Sequence, residues 1–274
     1  MPDKKVKADL HNHLHTFTWI REGDFDKAVN RASLTLGMGG ILGIANFADT
    51  RYEAYTQQRS KNKRKNLGNA VYVPEKDILV VKGQEVQTQQ GHLLVLCLEE
   101  NKHLGNNRTL EDSIKEAQDF NAIIVADHTF YREGIGPYLE QHPELLEQLD
   151  ALELNGEANS IPKLAPKHAN QKLLEFYSQI YKKYPRLGII ANSDGHSFRE
   201  IGLSYTLLER PDLTSSEVIS ATLRQAIRTA TPKDTYLHQS RLGTYTHAGV
   251  LAPLVLLSKI GLWRPTYPEN QPLS

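Results

Sequence analysis

The stretch Asp9-Leu10-His11-Asn12-His13 lies at the end of the first apolar segment of the chain, Val6–Leu10. Side chains alternate along an extended strand, so the two histidines project their imidazoles to the same side. At the end of a strand, such a pair can hold one cation between two neutral ring nitrogens. A lone pair of this kind is equally consistent with packed or surface histidines, so its meaning depends on the rest of the chain.

Residues that can bind metals recur at the ends of later apolar segments. They are Glu85, after Ile78–Gly83; His92, at the start of His92–Leu98; His128, after Ala122–Ala126; Glu153, in Ala151–Leu154; and Asp194 and His196, after Leu187–Ala191. In a parallel barrel, the loops after the strands gather on one face, where active sites form. The pattern therefore predicts one clustered site. The alternative, scattered surface histidines, does not explain why almost none of these residues lies in a predicted helix.

The apolar pattern predicts an α/β fold, because short strands alternate with amphipathic helices, as in βα units with a parallel sheet. The other predicted elements are the strand Gly40–Ala45 and the helices Asp24–Leu36, Thr109–Phe120, Tyr138–Leu149, Leu164–Tyr184 and Thr214–Thr229. This number of units favours a closed or nearly closed barrel. An open doubly wound sheet fits less well, since no glycine-rich nucleotide motif follows the first strand.

The composition excludes few classes of protein. The 274 residues are enough for one large domain or two small ones, and 32 basic residues balance 32 acidic ones. The single cysteine, Cys97, is expected in a buried strand, and no secretory signal is visible in Met1–Lys7, so a cytoplasmic location is expected. The apolar stretch Gly249–Trp263 is short for a membrane span and is interrupted by Pro253 and Lys259, which predicts a terminal helix or strand.

Taken together, the motifs resemble the polymerase and histidinol phosphatase (PHP) family of metal-dependent phosphoesterases. The resemblance covers Asp9 to about Glu209 and is carried by Asp9-Leu10-His11-Asn12-His13, Gly83-Gln84-Glu85-Val86, Gly91-His92-Leu93-Leu94, Ala126-Asp127-His128, Leu152-Glu153-Leu154-Asn155 and Asn192-Ser193-Asp194-Gly195-His196-Ser197. It implies a distorted (β/α)7 barrel, similar to a TIM barrel, over residues 1–210. Residues 211–274 would form a C-terminal helix and tail packed on the same domain.

The resemblance also implies a ligand set. His11, His13 and Asp194 would bind a first metal, and Glu85 would bridge it to a second. His92 and His128 would complete the second site, with His92 at a position that varies within the family. His196 matches a ligand of a third metal, and His196 and Asp194 are the implied catalytic residues.

The sequence departs from the family pattern near the third metal. Where the family commonly has Thr-Asp-His after its second strand, this chain has Ala45-Asn46-Phe47, and a phenylalanine cannot bind a metal. A site with two metals is therefore expected, with His196 as a weak ligand, a phosphate contact or a general acid. The alternative is a third site restored by His15, Glu22 or Asp49.

Imidazole and carboxylate ligands without a thiolate suit Zn²⁺, Mn²⁺ or Fe²⁺ alike. Two such cations would activate a hydroxide and polarise a phosphoryl oxygen, which predicts hydrolysis of a small phosphomonoester or a nucleotide. One alternative is a catalytically silent metal-binding domain with a regulatory or interaction role. Another is a nuclease on short oligonucleotides, in which the basic run Arg59–Lys65 would hold a nucleic-acid backbone.

Several further side chains have both a functional and a plain structural interpretation. Arg51, Tyr52 and Arg132 are predicted to contact a small phosphorylated substrate. The run Arg59–Lys65 is expected to face solvent, so a nucleic-acid partner is not favoured. No membrane partner is expected. Glu153 either orients a ligand histidine or caps a loop. Three histidines without matching partners, His103, His142 and His168, are expected at the surface, and the oligomeric state is left open.

Overall fold

The computed structural model describes residues 5–14, 20–47, 49–156 and 168–238, together with Leu256. The strands in this part of the chain are β1 (Lys5–Asp9), β2 (Ile41–Asn46), β3 (Lys65–Asn66), β4 (Ala70–Val73), β5 (Ile78–Thr88), β6 (Gly91–Leu96), β7 (Ile123–Ala126), β8 (Ala151–Asn155), β9 (Gly188–Asn192), β10 (Tyr205–Glu209) and β11 (Thr235–Tyr236). The helices are α1 (Asp24–Thr35), α2 (Arg51–Thr56), α3 (Leu110–Asp119), α4 (Gly136–Gln141), α5 (Ala169–Ile180) and α6 (Ser216–Thr229), with 3-10 turns at Pro143–Gln148 and Pro232–Asp234.

These strands form one mixed sheet with the order β11-β10-β1-β2-β5-β6-β7-β8-β9, and a β3–β4 hairpin pairs with β5. The pairs β1–β2, β2–β5, β7–β8 and β8–β9 are parallel, whereas β5–β6, β6–β7 and β1–β10 are antiparallel. The sheet curls into a nearly closed, barrel-like α/β fold similar to a TIM barrel, as the apolar pattern predicts.

The (β/α)7 description is too simple for this sheet. The described residues contain 11 strands, and the middle of the sheet reverses direction. The cause is local, because only Gln89 and Gln90 separate β5 from β6. A connection of two residues can join antiparallel strands, whereas a parallel crossover needs a dozen residues or more.

The barrel closes at one end through backbone and side-chain contacts between β1 and the segment after β9. Asn12 forms an isolated bridge with Gly195, and the His13 N–H donates to the Gly195 carbonyl at 2.7 Å. The Asp9 carboxylate accepts from the backbone of Ser193 at 2.9 Å and of Gly202 at 2.7 Å. The ends of β1 and β9 are therefore held together at the face that carries the sequence motifs.

Apolar side chains fill the barrel and cover its outside. Buried residues from β1, β2, β7 and β9, such as Ala8 and Ile190, belong to one core cluster with Ile219 and Leu223 of α6. This packing follows from the apolar stripe of α6, which recurs at helical spacing. The domain boundary at residue 210 remains a prediction.

Two predicted helices differ from the structure. The helix expected over Tyr138–Leu149 is divided into α4 and a 3-10 turn, since Pro143 cannot continue an α-helix. The one expected over Leu164–Tyr184 is observed as Ala169–Ile180, and residues 164–167 lie outside the described part. His15 and the stretch Gly249–Trp263, apart from Leu256, also lie outside it.

Among the residues described, no helix combines the length and the apolar character that crossing a bilayer would require.

Candidate metal centre

Two histidines and two acids meet at the end of β1. The Nε2 atoms of His11 and His13 lie 3.0 Å apart, and the His13 nitrogen lies 2.5 Å from Oε2 of Glu85. Oδ1 of Asp194 lies 3.7 Å from both histidine Nε2 atoms. All four residues are buried, and three of them, His11, His13 and Glu85, form a group that could hold an ion.

The other oxygen of Glu85 faces a second pair of histidines. Its Oε1 contacts Nδ1 of His92 and lies 3.5 Å from Nε2 of His128. These two ring nitrogens are 3.3 Å apart. One carboxylate thus contacts both pairs of histidines.

The backbone places these side chains in different ways. Glu85 lies inside β5, paired in register with Leu94, just beyond the point where β2 ends its pairing at Gln84. His128 and Asp194 follow β7 and β9 in left-handed conformations, with φ of 25° and 51°. Such conformations are uncommon outside glycine and cluster at functional sites.

A second layer of carboxylates lies behind His11. Oε1 of Glu153 is 3.1 Å from Nδ1 of His11, and Oδ1 of Asp127 is 3.2 Å from the same nitrogen. Glu153 also accepts from the Asn192 side chain at 2.7 Å and from the backbone of His128 at 2.8 Å. Glu153 therefore makes both kinds of contact that the sequence suggests. It contacts the His11 ring, and it accepts from the backbone of the loop after β7.

Asp127 and Asn155 are site residues that the sequence analysis did not assign. Asp127 is buried next to His128, and Asn155 donates to Oδ2 of Asp194 at 2.9 Å. The available signal for Asp127 was its place in Ala126-Asp127-His128, directly after an apolar strand. The signal for Asn155 was the end of β8, where a polar residue follows Leu154.

The electrostatics of the cluster favour cations. Burial alone would lower the pKa of His11, but the carboxylates of Asp127 and Glu153 outweigh it and raise that pKa well above its usual value. Burial raises the pKa of Asp127 to about 7. The pKa of Glu85 is held well below its usual range, against the effect of burial, by His13 and by hydrogen bonds with other histidines.

The cluster therefore fits divalent metals. Within the described part of the chain, the groups able to hold an ion are Glu85-His92-Asp127-His128, His11-His13-Glu85 and His11-Asp127-Glu153. Burying several carboxylates together costs less free energy when a cation neutralises their charge, and imidazole nitrogens converge with these carboxylates. The donors are nitrogen and oxygen only, which suits Zn²⁺, Mn²⁺ or Fe²⁺.

His196 and Phe47 lie at the edge of the cluster. Nδ1 of His196 is 2.9 Å from the carbonyl oxygen of Asp194, and its ring centroid is 5.4 Å from that of His13. The ring of Phe47 packs edge-on against one histidine of each pair, with centroids 5.8 Å from that of His13 and 5.7 Å from that of His92. Phe47 thus presents an apolar ring to both pairs.

The residues considered as replacement ligands have other partners. Asp49 is paired with Arg51 at 2.7 Å, and Glu22 accepts from the backbone of Arg59 at 3.1 Å. Neither acid belongs to the groups of described residues that could hold an ion.

The three predicted substrate contacts lie in different surroundings. Arg51 and Tyr52 are each only 2% exposed. The Arg51 guanidinium binds Asp49 and donates to the carbonyls of His13 and, at 2.6 Å, Leu14. Through these contacts Arg51 holds the segment after β1 in place. Arg132 is exposed, with its guanidinium 5.4 Å from the Tyr131 ring.

A buried ion pair lies behind α2 and was not predicted. Nζ of Lys82, a residue of β5, is 2.5 Å from Oε1 of Glu53. The ammonium also donates to two backbone carbonyls, and Glu53 accepts from Asn46 at 2.9 Å. The Lys82–Glu53 pair thus fastens α2, with the Asn46–Phe47 segment, to the sheet.

Two of the histidines expected at the surface differ in exposure. His103 lies 3.8 Å from Glu53 and is only partly exposed, in contrast to the expected surface position, whereas His168 is exposed.

The basic run is exposed, as expected, and is an ordered part of the surface. Its five cations are Arg59, Lys61, Lys63, Arg64 and Lys65. Asp26 of α1 holds the run by accepting from the Ser60 hydroxyl at 2.6 Å and from the Lys61 backbone at 2.8 Å. The Ser60–Lys61 end of the run therefore lies beside the first turn of α1, whereas Lys65 pairs with Tyr72, which pairs in turn with Leu79 near the start of β5. Across the described residues, none of the five cations forms a salt bridge.

The fold is similar to three solved structures. PsfC from Pseudomonas syringae PB-5123 matches 95% of this chain and 100% of its own at 13% identity, with a TM-score of 0.55. The lesion-specific endonuclease PfuEndoQ from Pyrococcus furiosus matches 82% of this chain at 17% identity, with a TM-score of 0.51. Endonuclease Q in complex with a 27-mer duplex substrate, which has an abasic lesion at the active site, matches 82% at 17% identity, with a TM-score of 0.50.

The match to both endonuclease Q structures extends over 56% of those chains. No protein-family model matches the sequence, and no curated protein matches it closely enough to count as a relative. At these identities the structural likeness establishes one thing, namely that this chain shares its fold with PsfC and with part of endonuclease Q.

Proposed function

We propose that this chain is a PHP-type hydrolase that cleaves phosphate esters with two divalent cations. The observation that carries the proposal is the position of Glu85, whose two oxygens face different pairs of histidines. His11, His13 and Asp194 would hold one cation, and His92 and His128 the other. The likeness to endonuclease Q supports the PHP assignment of the fold.

The protein's own residues would orient the ligands and move a proton. Glu153 and Asn155 contact His11 and Asp194 and would fix the directions of these ligands. The Asp194 carbonyl accepts from Nδ1 of His196, which places the proton of a neutral ring on Nδ1. Protonated at Nε2 as well, His196 would serve as the general acid that donates to the leaving oxygen. When bound, the two cations would activate a water molecule and polarise a phosphoryl oxygen.

Metal analysis combined with a substrate panel tests this proposal. Purified protein should contain about two divalent metals per chain and hydrolyse at least one phosphomonoester, nucleotide or oligonucleotide in the presence of Mn²⁺ or Zn²⁺. The substitution Asp194→Ala should abolish turnover with the fold retained, whereas His142→Ala, at a histidine outside the cluster, should leave turnover unchanged.

Three results would contradict parts of the proposal. Absence of both metal and turnover would overturn it. Metal binding without hydrolysis across the panel would favour the catalytically silent alternative. Three fully occupied anomalous peaks, with His196 at the third, would show that Phe47 does not limit the centre to two metals.

A nucleic-acid substrate is the second candidate, and the basic run favours it. Five exposed cations in seven residues, without salt bridges in the described structure, offer a binding surface for a phosphate backbone. Endonuclease Q, which has a duplex DNA substrate, shares the fold.

Salt dependence separates this candidate from a small phosphomonoester. Binding of an oligonucleotide should weaken steeply with salt, and the double substitution Lys61→Gln/Lys63→Gln should reduce the logarithmic salt slope by about 2. The matched control is Lys182→Gln/Lys183→Gln, since these exposed lysines follow α5 and precede the start of β9, whereas Asp194 follows the end of β9. A Michaelis constant for oligonucleotides that does not change with salt would count against a nuclease.

A further inference from the structure

A short turn after β7 connects the two histidines of the second half of the cluster. It begins at His128, whose carbonyl accepts from the backbone of Tyr131 at 2.7 Å, and closes when Gly134 donates to Tyr131 at 2.9 Å. Gly134 forms an isolated bridge with His92 at the start of β6. The turn that follows one candidate ligand therefore docks on the other.

Glu133 makes two separate contacts with His92. Its backbone carbonyl accepts from the His92 N–H at 2.7 Å, and Oε2 of its side chain lies 2.9 Å from Nε2 of the ring. Its side chain is 71% exposed, whereas the His92 side chain is 10% exposed. The carboxylate thus contributes little to the core, and its described contact is with a site histidine.

The backbone around this contact is specialised. A Cβ added to Gly91, which has φ of 135°, would lie 2.2 Å from the Glu133 carbonyl oxygen. A Cβ on Gly134 would lie 2.4 Å from the His128 carbonyl oxygen. Glu133 itself has φ of 49°, in the left-handed region. Two glycines therefore permit the close approach that brings Glu133 to His92.

The two nitrogens of His92 face different groups. Nδ1 contacts Oε1 of Glu85 and lies 3.3 Å from Nε2 of His128, on the side of the cluster. Nε2 faces the Glu133 carboxylate on the outer side. A ring that donates Nε2–H to a carboxylate keeps its Nδ1 lone pair available for a cation.

We infer that Glu133 is a positioning residue, which fixes the tautomer and the ring orientation of His92 so that Nδ1 is presented to the second metal. This inference rests on the proposed two-metal function. It assigns no contact between Glu133 and the substrate or a cation.

The experiment titrates Mn²⁺ into the metal-free full-length protein and its variants by calorimetry. Glu133→Ala should weaken one of the two sites by about 10- to 100-fold and leave the other unchanged. Glu133→Gln should restore most of the affinity, because the amide oxygen still accepts from Nε2–H. Glu144→Ala is the matched control, since Glu144 is another exposed acid beside a histidine, 3.3 Å from His142, outside the cluster.

A crystallographic measurement identifies the affected site. At limiting Mn²⁺, crystals of Glu133→Ala should lose the anomalous peak beside His92 and keep the one beside His13. Circular dichroism checks that the fold is retained.

The inference is overturned if Glu133→Ala binds both cations as the unsubstituted protein does. It is also overturned if Glu133→Gln is as weak as Glu133→Ala, since the charge and not the hydrogen bond would then matter. If the unsubstituted protein binds no metal, the proposed function fails, and the inference fails with it.

Discussion

The Nε2 atoms of His11 and His13 lie 3.0 Å apart at the end of β1. Two imidazole nitrogens at this distance need a proton or a cation between their lone pairs, because two lone pairs repel each other. Protons and metals therefore compete for the same atoms in this cluster.

Metal binding should release protons. In the metal-free state, burial would lower the pKa of His128, but Asp127 and Glu85 raise it to about 10, and the pKa of His11 is also raised. Since a cation needs the neutral imidazole, its affinity should increase as the pH rises toward these values and fall at lower pH. Calorimetry at pH 7 in two buffers with different ionisation enthalpies measures the released protons. Identical heats in the two buffers would contradict this expectation.

The substitution Glu85→Gln should impair both halves of the centre together. A glutamine offers one neutral oxygen, so it cannot contact His13 and His92 as the two carboxylate oxygens do. We expect weaker binding of both cations and a loss of the coupling between them, measured by Mn²⁺ titration and by the magnetic interaction of the two ions. Glu140→Gln, at an exposed acid paired with Lys172, is the control. Loss of a single cation with the other site intact would show that Glu85 does not bridge.

The substitution Arg51→Ala should destabilise the protein. It leaves the Asp49 carboxylate buried without its partner, 2.7 Å away, and removes the donor to the carbonyls of His13 and Leu14. Breaking a buried pair of this kind costs about 3 kcal/mol or more of the free energy of unfolding. Urea unfolding measures the loss. A raised Michaelis constant with unchanged stability would instead support the predicted role of Arg51 as a substrate contact.

The substitution Lys82→Met should also destabilise the protein by about 3–5 kcal/mol, since it leaves the buried Glu53 carboxylate without its ammonium partner. Adding Glu53→Gln removes that charge and keeps an acceptor for Asn46, so the double variant should recover a large part of the loss. The free energies of unfolding of the two single variants and the double variant form the test. If their effects simply add, the two side chains do not act as a pair.

Most of the residues that meet in the cluster could be predicted from the sequence, because strand ends are visible as the ends of apolar runs. The reversal of direction between β5 and β6 was harder to predict. The apolar pattern ends at Gly83, where the polar residues Gln84 and Glu85 follow, although the strand continues to Thr88. Glu85 is a buried acid within a strand, and its compensation by histidines from other segments depends on tertiary structure.

The burial of Arg51 also depends on tertiary structure, so the sequence did not predict it. A cation after a strand on the active-site face is a reasonable phosphate ligand, but the carbonyls that accept from Arg51 lie 37 and 38 positions earlier in the chain. No local pattern reports such contacts. The cytoplasmic location, the number of metals and the small phosphorylated substrate remain predictions.

The bridge between Asn12 and Gly195 has a consequence for the stability of the whole barrel. It joins the segment of His11 and His13 to the segment of Asp194, so a cation held by these three residues would tie the first strand to a late one across the seam. A ligand that binds only the folded state adds its binding free energy to the stability of that state. Metal supply would then determine how long the barrel stays closed against proteolysis and heat, in addition to whether it can turn over a substrate.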